Sequence, residues 1–180
     1  VCPQGDFEMI GNACGGAGAY IWVEIKDDCG GYPIAGIPPT DFWINACDPT
    51  RRLFLCGSPI VADSMTGADG RTTISGVFRA GGCSLSGGLW IACQGKYIYS
   101  RPDCFSAVCL NIVVKSPDLT GEGGRPDGIV NLSDLVVFGT PYNKNLGQAG
   151  YSACCDYTDD DKCNLSDFAY FGSHYQHRCE

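Results

Sequence analysis

From Tyr20 to Lys115 the apolar residues come in short runs or in alternation with polar ones, at Tyr20–Ile25, Phe42–Ala46, Leu53–Leu55, Thr72–Phe78, Leu89–Ala92, Lys96–Tyr99 and Val108–Lys115. Turn-rich pieces separate them, at Asp28–Gly31, Gly67–Gly70, Gly81–Cys83 and Gly87-Gly88. Short β-type runs punctuated by Gly, Pro and Asp about every ten residues predict an antiparallel sandwich rather than a helical or βαβ fold. The longest apolar runs, such as Ile112–Val114 and Leu135–Phe138, have the length of a strand or one helical turn, so the pattern excludes a membrane-spanning helix.

The pattern changes at Ser116-Pro117. Strand-like alternation ends there, Asp, Asn and Gly become frequent, and Pro117 stops a strand from running on. This predicts a mainly β domain over residues 1–115 and a second, small helical domain over 116–180.

The second part is internally duplicated. At an offset of 33, Asn131-Leu-Ser-Asp-Leu-Val-Val-Phe-Gly-Thr-Pro-Tyr142 and Asn164-Leu-Ser-Asp-Phe-Ala-Tyr-Phe-Gly-Ser-His-Tyr175 agree at seven of twelve positions. Acidic residues precede each copy, in the spacing of a calcium loop. Ca²⁺ takes six to eight hard oxygen ligands, and a twelve-residue loop supplies them from its positions 1, 3, 5, 7, 9 and 12, the seventh through its carbonyl. In the second copy these are Asp156, Thr158, Asp160, the Lys162 carbonyl, Asn164 (through water) and Asp167. Its sixth position, usually Gly, is Asp161. In the first copy, counting back from Asp134 gives Asn131, the Ile129 carbonyl, Gly128 in sixth place and Asp127 in fifth; Asp118 and Thr120 take the first and third places if Glu122–Pro126 bulges out.

Two loops of the form D-x-[NDT]-x-D-[GD]-x-x-N-L-S-D, each followed by one short amphipathic helix, resemble a dockerin domain, the calcium-binding module of cellulosomal and other extracellular bacterial proteins. The resemblance covers Asp118 to His177, about a third of the chain. It implies two bound Ca²⁺ ions and a partner, usually a cohesin with a β-sandwich fold, contacted by Leu132 and Ser133 in one copy and Leu165 and Ser166 in the other. Four cysteines and the insertion in the first loop depart from the family pattern. In the N-terminal part, Val23–Thr40 with Pro33 and Gly36, and then Ala68-Asp69-Gly70-Arg71-Thr72-Thr73, resemble bacterial immunoglobulin-like repeats of surface proteins over about 50 residues. Together they imply a mainly β, immunoglobulin-like sandwich followed by a small α-helical dockerin-like domain of paired calcium loop–helix units.

Composition sharpens this picture in two ways. Twelve basic against twenty acidic residues give a net charge of −8, which lacks the basic footprint of a nucleic-acid binder. Thirteen cysteines in 180 residues fall into none of the paired spacings of a structural zinc site, so disulfides and an oxidising, extracellular setting are the better reading than cytosolic metal binding. A chain beginning Val1-Cys2-Pro3 without Met is what removal of a secretory signal leaves. The odd count requires a free thiol or a bond to a second chain; Cys2, near the terminus, is the candidate for an intermolecular disulfide, with a free buried Cys163 as the alternative. Vicinal Cys154 and Cys155 are expected to pair with different partners.

Other constellations read as ordinary structure. Asn131-Leu-Ser133 and Asn164-Leu-Ser166 are glycosylation sequons but lie inside the loops. His174 and His177 stand three apart and could share a metal, yet no carboxylate or Cys is placed to complete a site, so they read as surface histidines. Asp27-Asp28 and Asp41 as paired carboxylates, and Trp22, Trp43 and Trp90 as a sugar platform, are outweighed by surface and core roles. No nucleophile motif or phosphate loop occurs. The expected function is therefore non-catalytic: an extracellular subunit that self-assembles into a filament, tube or surface layer through dockerin-like to sandwich contacts between copies of itself, or, as the alternative, a cellulosome-type accessory protein whose dockerin binds a cohesin and whose sandwich binds carbohydrate. A small hydrolase ranks last.

Overall fold

The computed structural model describes residues 19–27, 31–47, 52–57, 60–76, 79–85, 88–98, 109 and 113–179. Among these the protein is mainly β, with ten short strands and two α-helices: β1 (Ala19–Glu24), β2 (Phe42–Ala46), β3 (Leu53–Leu55), β4 (Arg71–Gly76), β5 (Ala80–Ser84), β6 (Leu89–Cys93), β7 (Lys96–Ile98), β8 (Val114–Lys115), α1 (Leu132–Gly139), β9 (Lys144–Asn145), β10 (Lys162–Cys163) and α2 (Leu165–Ser173). No helix among the described residues is long and apolar enough to cross a membrane. The chain divides into two units, residues 1–47, 58–78 and 89–111 in one, and 48–57, 79–88 and 112–180 in the other.

The first unit holds two antiparallel sheets. β1 pairs with β4, Ala19 opposite Gly76 through Glu24 opposite Arg71. Alternation sets the buried face: Ile21, Val23 and Ile74 are buried, while Trp22 between them is exposed. The turn into β4 needs Gly70, whose φ is +74° and whose Cβ, if present, would run into the Ile25 carbonyl. The second sheet orders β2, β6 and β7. Gln94 and Gly95, both at positive φ, close the β6–β7 hairpin in the left-handed backbone that two-residue hairpins prefer. Phe42, Ile44, Leu89 and Ile91 form its buried face, and a disulfide joins Cys47 to Cys109.

The second unit contains the duplicated segment and, besides it, a three-stranded sheet in the order β3, β5, β8. Leu53–Leu55, Ala80–Ser84 and Val114–Lys115 thus fall in one unit with the loops, although the alternation alone groups them with the preceding strands. The Gly81–Cys83 stretch, expected to be a turn, is the middle of the central strand β5. Glycine is required there by close approach: a Cβ at Gly81 would overlap Asp118 Oδ2 and the Phe54 ring, and one at Gly82 would overlap the Arg52 carbonyl.

Each copy of the repeat forms a loop that ends in a helix. Asn131 and Asn164 cap these helices, accepting from the Ser133 and Ser166 amides at 2.7 Å. Asp134 and Asp167 return bonds to the cap amides at 2.8 and 2.9 Å, completing two capping boxes. The helices bury Phe138 and Phe171, ring centroids 5.4 Å apart, with Val130, Cys155 and Cys163. A fully buried Phe is worth roughly 1.5–3 kcal/mol, so a core this small leans on cross-links.

Candidate metal centre

The two loops close the same hydrogen-bond scheme. Asp167 Oδ1 accepts from the amides of Tyr157 and Thr158 at 2.7 and 3.0 Å, and from Thr158 Oγ1 at 3.2 Å. Asp134 Oδ1 accepts from the amides of Leu119 and Thr120 at 2.7 and 2.8 Å. Asp156 Oδ1 accepts from the Asp160 amide and Asp118 Oδ1 from the Asp127 amide. Asp160 and Asp127 then accept from the amides two residues on, Lys162 and Ile129. Asp127 therefore stands where Asp160 does. Residues 122–126 loop out between equivalent points, with a 3-10 turn over Glu122–Gly124. The sixth positions, Gly128 and Asp161, share a left-handed backbone at φ +85° and +63°.

Electrostatics make the loops unusual. Asp118, Asp134, Asp156 and Asp167 are all buried, Asp134 and Asp167 completely, and among the described residues none forms an ion pair with Lys or Arg. Buried carboxylates without a counter-charge are costly unless a cation or dense hydrogen bonding compensates. Burial, with the like charges of Asp134 and Asp127, pushes Asp118 up to about 6 against the pull of the Gly128 and Asp127 amides. In the second loop the carboxylate oxygens of Asp156, Asp160 and Asp167 lie within 4.8 Å of one another, which fits inside a shell of Ca–O distances of about 2.3–2.6 Å. This donor set of hard oxygens suits Ca²⁺. Asp118, Asp127 and Asp134 do not converge as closely.

Asn164 turns its Nδ2 to Asp160 Oδ2 at 3.0 Å and Asn131 its own to the Ile129 carbonyl at 3.2 Å, so both sit beside the ligand set. Lys162 contributes backbone only. Its side chain is exposed. Two residues near the second loop escape any spacing rule. Tyr151 OH donates to Asp156 Oδ2 at 2.7 Å, and Lys115 Nζ on β8 reaches the Asp156 carbonyl and Asp159 Oδ1. Neither lies in the twelve-residue pattern.

Disulfides staple each loop to the β3–β5–β8 sheet. Cys56, just past β3, bonds Cys179, whose amide donates to the Gly128 carbonyl at 2.7 Å. Cys83 on β5 bonds Cys154, two residues before Asp156. Cys155 differs from the expectation: it is free and buried, as are Cys163 and, in the first unit, Cys93. Burial pushes the Cys155 thiol up to about 12 and Cys93 up to about 11. Such thiols pack as small hydrophobes and do not exchange readily. Cys2 lies outside the described residues.

Leu132 and Leu165, at the first turns of α1 and α2, are 63% and 68% exposed, and Ser133 and Ser166 beside them are exposed too. Val136, Phe168 and Leu146 add exposed apolar surface to the same unit.

No protein-family model and no curated protein matches the chain. Among solved structures it is similar to a C-terminal interface mutant of a type II cohesin–X-dockerin complex from Acetivibrio cellulolyticus, at 17% identity and a TM-score of 0.36, covering 87% of this chain and 94% of that one. An N-terminal interface mutant of the same complex gives 17% identity and a TM-score of 0.35 over 81% of this chain and 83% of that one.

Proposed function

We propose that this chain is a non-catalytic, extracellular accessory protein whose second unit is a dockerin-like plug, loaded with two Ca²⁺ ions and docking on a partner of the cohesin-like β-sandwich kind. The observation that carries the reading is the repeated hydrogen-bond scheme around four buried carboxylates without a basic partner among the described residues, each repeat presenting an exposed Leu-Ser pair on its helix. Asp118, Thr120, Asp127, the Ile129 carbonyl, Asn131 and Asp134 would hold one ion, and Asp156, Thr158, Asp160, the Lys162 carbonyl, Asn164 and Asp167 the other. Leu132, Ser133, Leu165 and Ser166 would meet the partner. Disulfides in both units fit an oxidising compartment.

The first unit reads as an immunoglobulin-like sandwich, because both of its sheets carry a row of buried apolar side chains. The register puts Trp43 and Trp90 diagonally on the other face of the β2–β6 pair, with Asn45 opposite Trp90, which supports the carbohydrate-binding role. Nothing among the described residues favours the head-to-tail polymer. The test is gel filtration and calorimetry of the full chain with a panel of cohesin modules, in Ca²⁺ and in chelator. Calcium-dependent complexes lost in Leu132→Asp/Leu165→Asp support the reading. Failure of every cohesin to bind, with calcium-dependent self-association instead, would replace it by the polymer.

A further inference from the structure

The C-terminal turn places two imidazoles where one metal ion can take both. His174 caps α2, its amide donating to the Phe171 carbonyl at 3.1 Å. Gln176, at φ +65°, then reverses the chain so that His177 folds back over His174. The turn is pinned on both sides: the His177 amide donates to the His174 carbonyl at 2.9 Å, and Val130 takes the Gln176 amide and gives its own to the His177 carbonyl. The two Nδ1 atoms stand 3.1 Å apart, with the rings at 87°.

We infer that His174 and His177 form a chelating clamp for a borderline divalent ion of the Zn²⁺ or Cu²⁺ class, a site separate from the carboxylate loops. With metal–nitrogen bonds of about 2.0–2.1 Å, nitrogens 3.1 Å apart subtend about 100° at the ion, between square-planar and tetrahedral values. Imidazole suits Zn²⁺ and Cu²⁺, whereas the all-oxygen loops suit Ca²⁺, so the two kinds of site sort ions by donor chemistry. Burial, with the neighbouring His177, holds His174 below the usual histidine range. Two protein nitrogens leave further positions on the ion for water.

The test uses the full chain in excess Ca²⁺. Calorimetric titration with ZnCl₂ should show one saturable ion per chain. His174→Ala and His177→Ala should each weaken it by more than about tenfold, the least that even an outer-shell partner is worth. His177→Gln, which keeps a hydrogen-bonding group but not an imidazole, should weaken it equally. Substoichiometric Cu²⁺ should selectively broaden the NMR signals of both imidazole rings, a readout that needs no variant. Absence of saturable Zn²⁺ binding, survival of that binding in His174→Ala/His177→Ala, or copper broadening elsewhere would overturn the assignment.

Discussion

The loop from Asp118 to Asp134 takes 17 residues to close the scheme that the loop from Asp156 to Asp167 closes in 12. What survives the five extra residues is the set of carboxylate-to-amide bonds, so the scheme belongs to the carboxylate positions and not to the intervening backbone. What changes is the neighbourhood. Asp118 lies beside Gly81 in β5, and its carbonyl accepts from the Gly82 amide at 2.7 Å. Asp156 is served by Tyr151 and Lys115. The first loop meets the sheet through β5, the second through Lys115 of β8 and with the help of a tyrosine.

Removing the last carboxylate of either loop should have the largest effect on calcium binding. Asp134 and Asp167 are fully buried and accept three and four hydrogen bonds. A hydrogen bond to a charged group is worth about 1.5–3 kcal/mol. Asp167→Ala should therefore cost more than about 3 kcal/mol and lower the calcium stoichiometry from two to one. Asp134→Ala should do the same for the other loop. Calorimetry returning two ions of unchanged affinity in Asp167→Ala would end the assignment of the second loop.

Opening the staples should come next, and it should separate the loops. Cys56–Cys179 and Cys83–Cys154 close separations of 123 and 71 residues, for which chain entropy alone gives about 4–5 kcal/mol each. Cys56→Ala/Cys179→Ala should weaken calcium binding chiefly in the first loop, since Cys179 holds the Gly128 carbonyl. Cys83→Ala/Cys154→Ala should weaken the second. Equal losses at both sites from either pair would show that the loops do not have separate supports.

Much of this is legible in the chain. The spacing of Asp residues read forward from Asp156 and back from Asp134 marks two segments that share a hydrogen-bond scheme, and short apolar runs locate Phe42–Ala46 and Leu53–Leu55 as strands, because those signals are local. What alternation does not show is partnership. β5 reads as a turn, since glycines chosen for close approach to Asp118 and Arg52 look the same as glycines chosen for a bend. Nor does alternation show that Leu53–Leu55 pairs with Ala80–Gly82 of β5. Tyr151 and Lys115 reach the second loop through the fold, and Cys155 is free and buried in the core with Cys163 and Phe171.

The sixth loop position offers a smaller contrast. Gly128 and Asp161 share a left-handed backbone, but a Cβ at Gly128 would sit 3.1 Å from Cys179 Cβ. Gly128→Asp should cost about 1–2 kcal/mol, the ordinary penalty of that conformation, with crowding against the disulfide added. Asp161→Gly relieves the same conformation while freeing the unfolded chain, and should change stability by less than about 1 kcal/mol. Urea unfolding of the two variants measures the difference directly. Equal effects would mean that the staple leaves the first loop free to shift.

The smallest effect should come at the second loop position, where the first copy has Leu119 and the second Tyr157. The Tyr157 ring stacks on Tyr170 and Phe138, centroids 5.0 and 6.1 Å away, but its hydroxyl is buried with no hydrogen-bond partner among the described residues. Burial raises its pKa, so it stays neutral and acts as an unmatched dipole. An apolar residue does this job in the first loop. Tyr157→Phe keeps the stack and removes an unsatisfied group that costs about 1–3 kcal/mol, so stability should rise by about 1 kcal/mol after the small void is allowed for, with calcium affinity unchanged. Thermal unfolding of the calcium-loaded chain reads the shift. A fall in stability would mean that the hydroxyl has a partner in solution, and the two loops would then differ in a polar contact as well as in length.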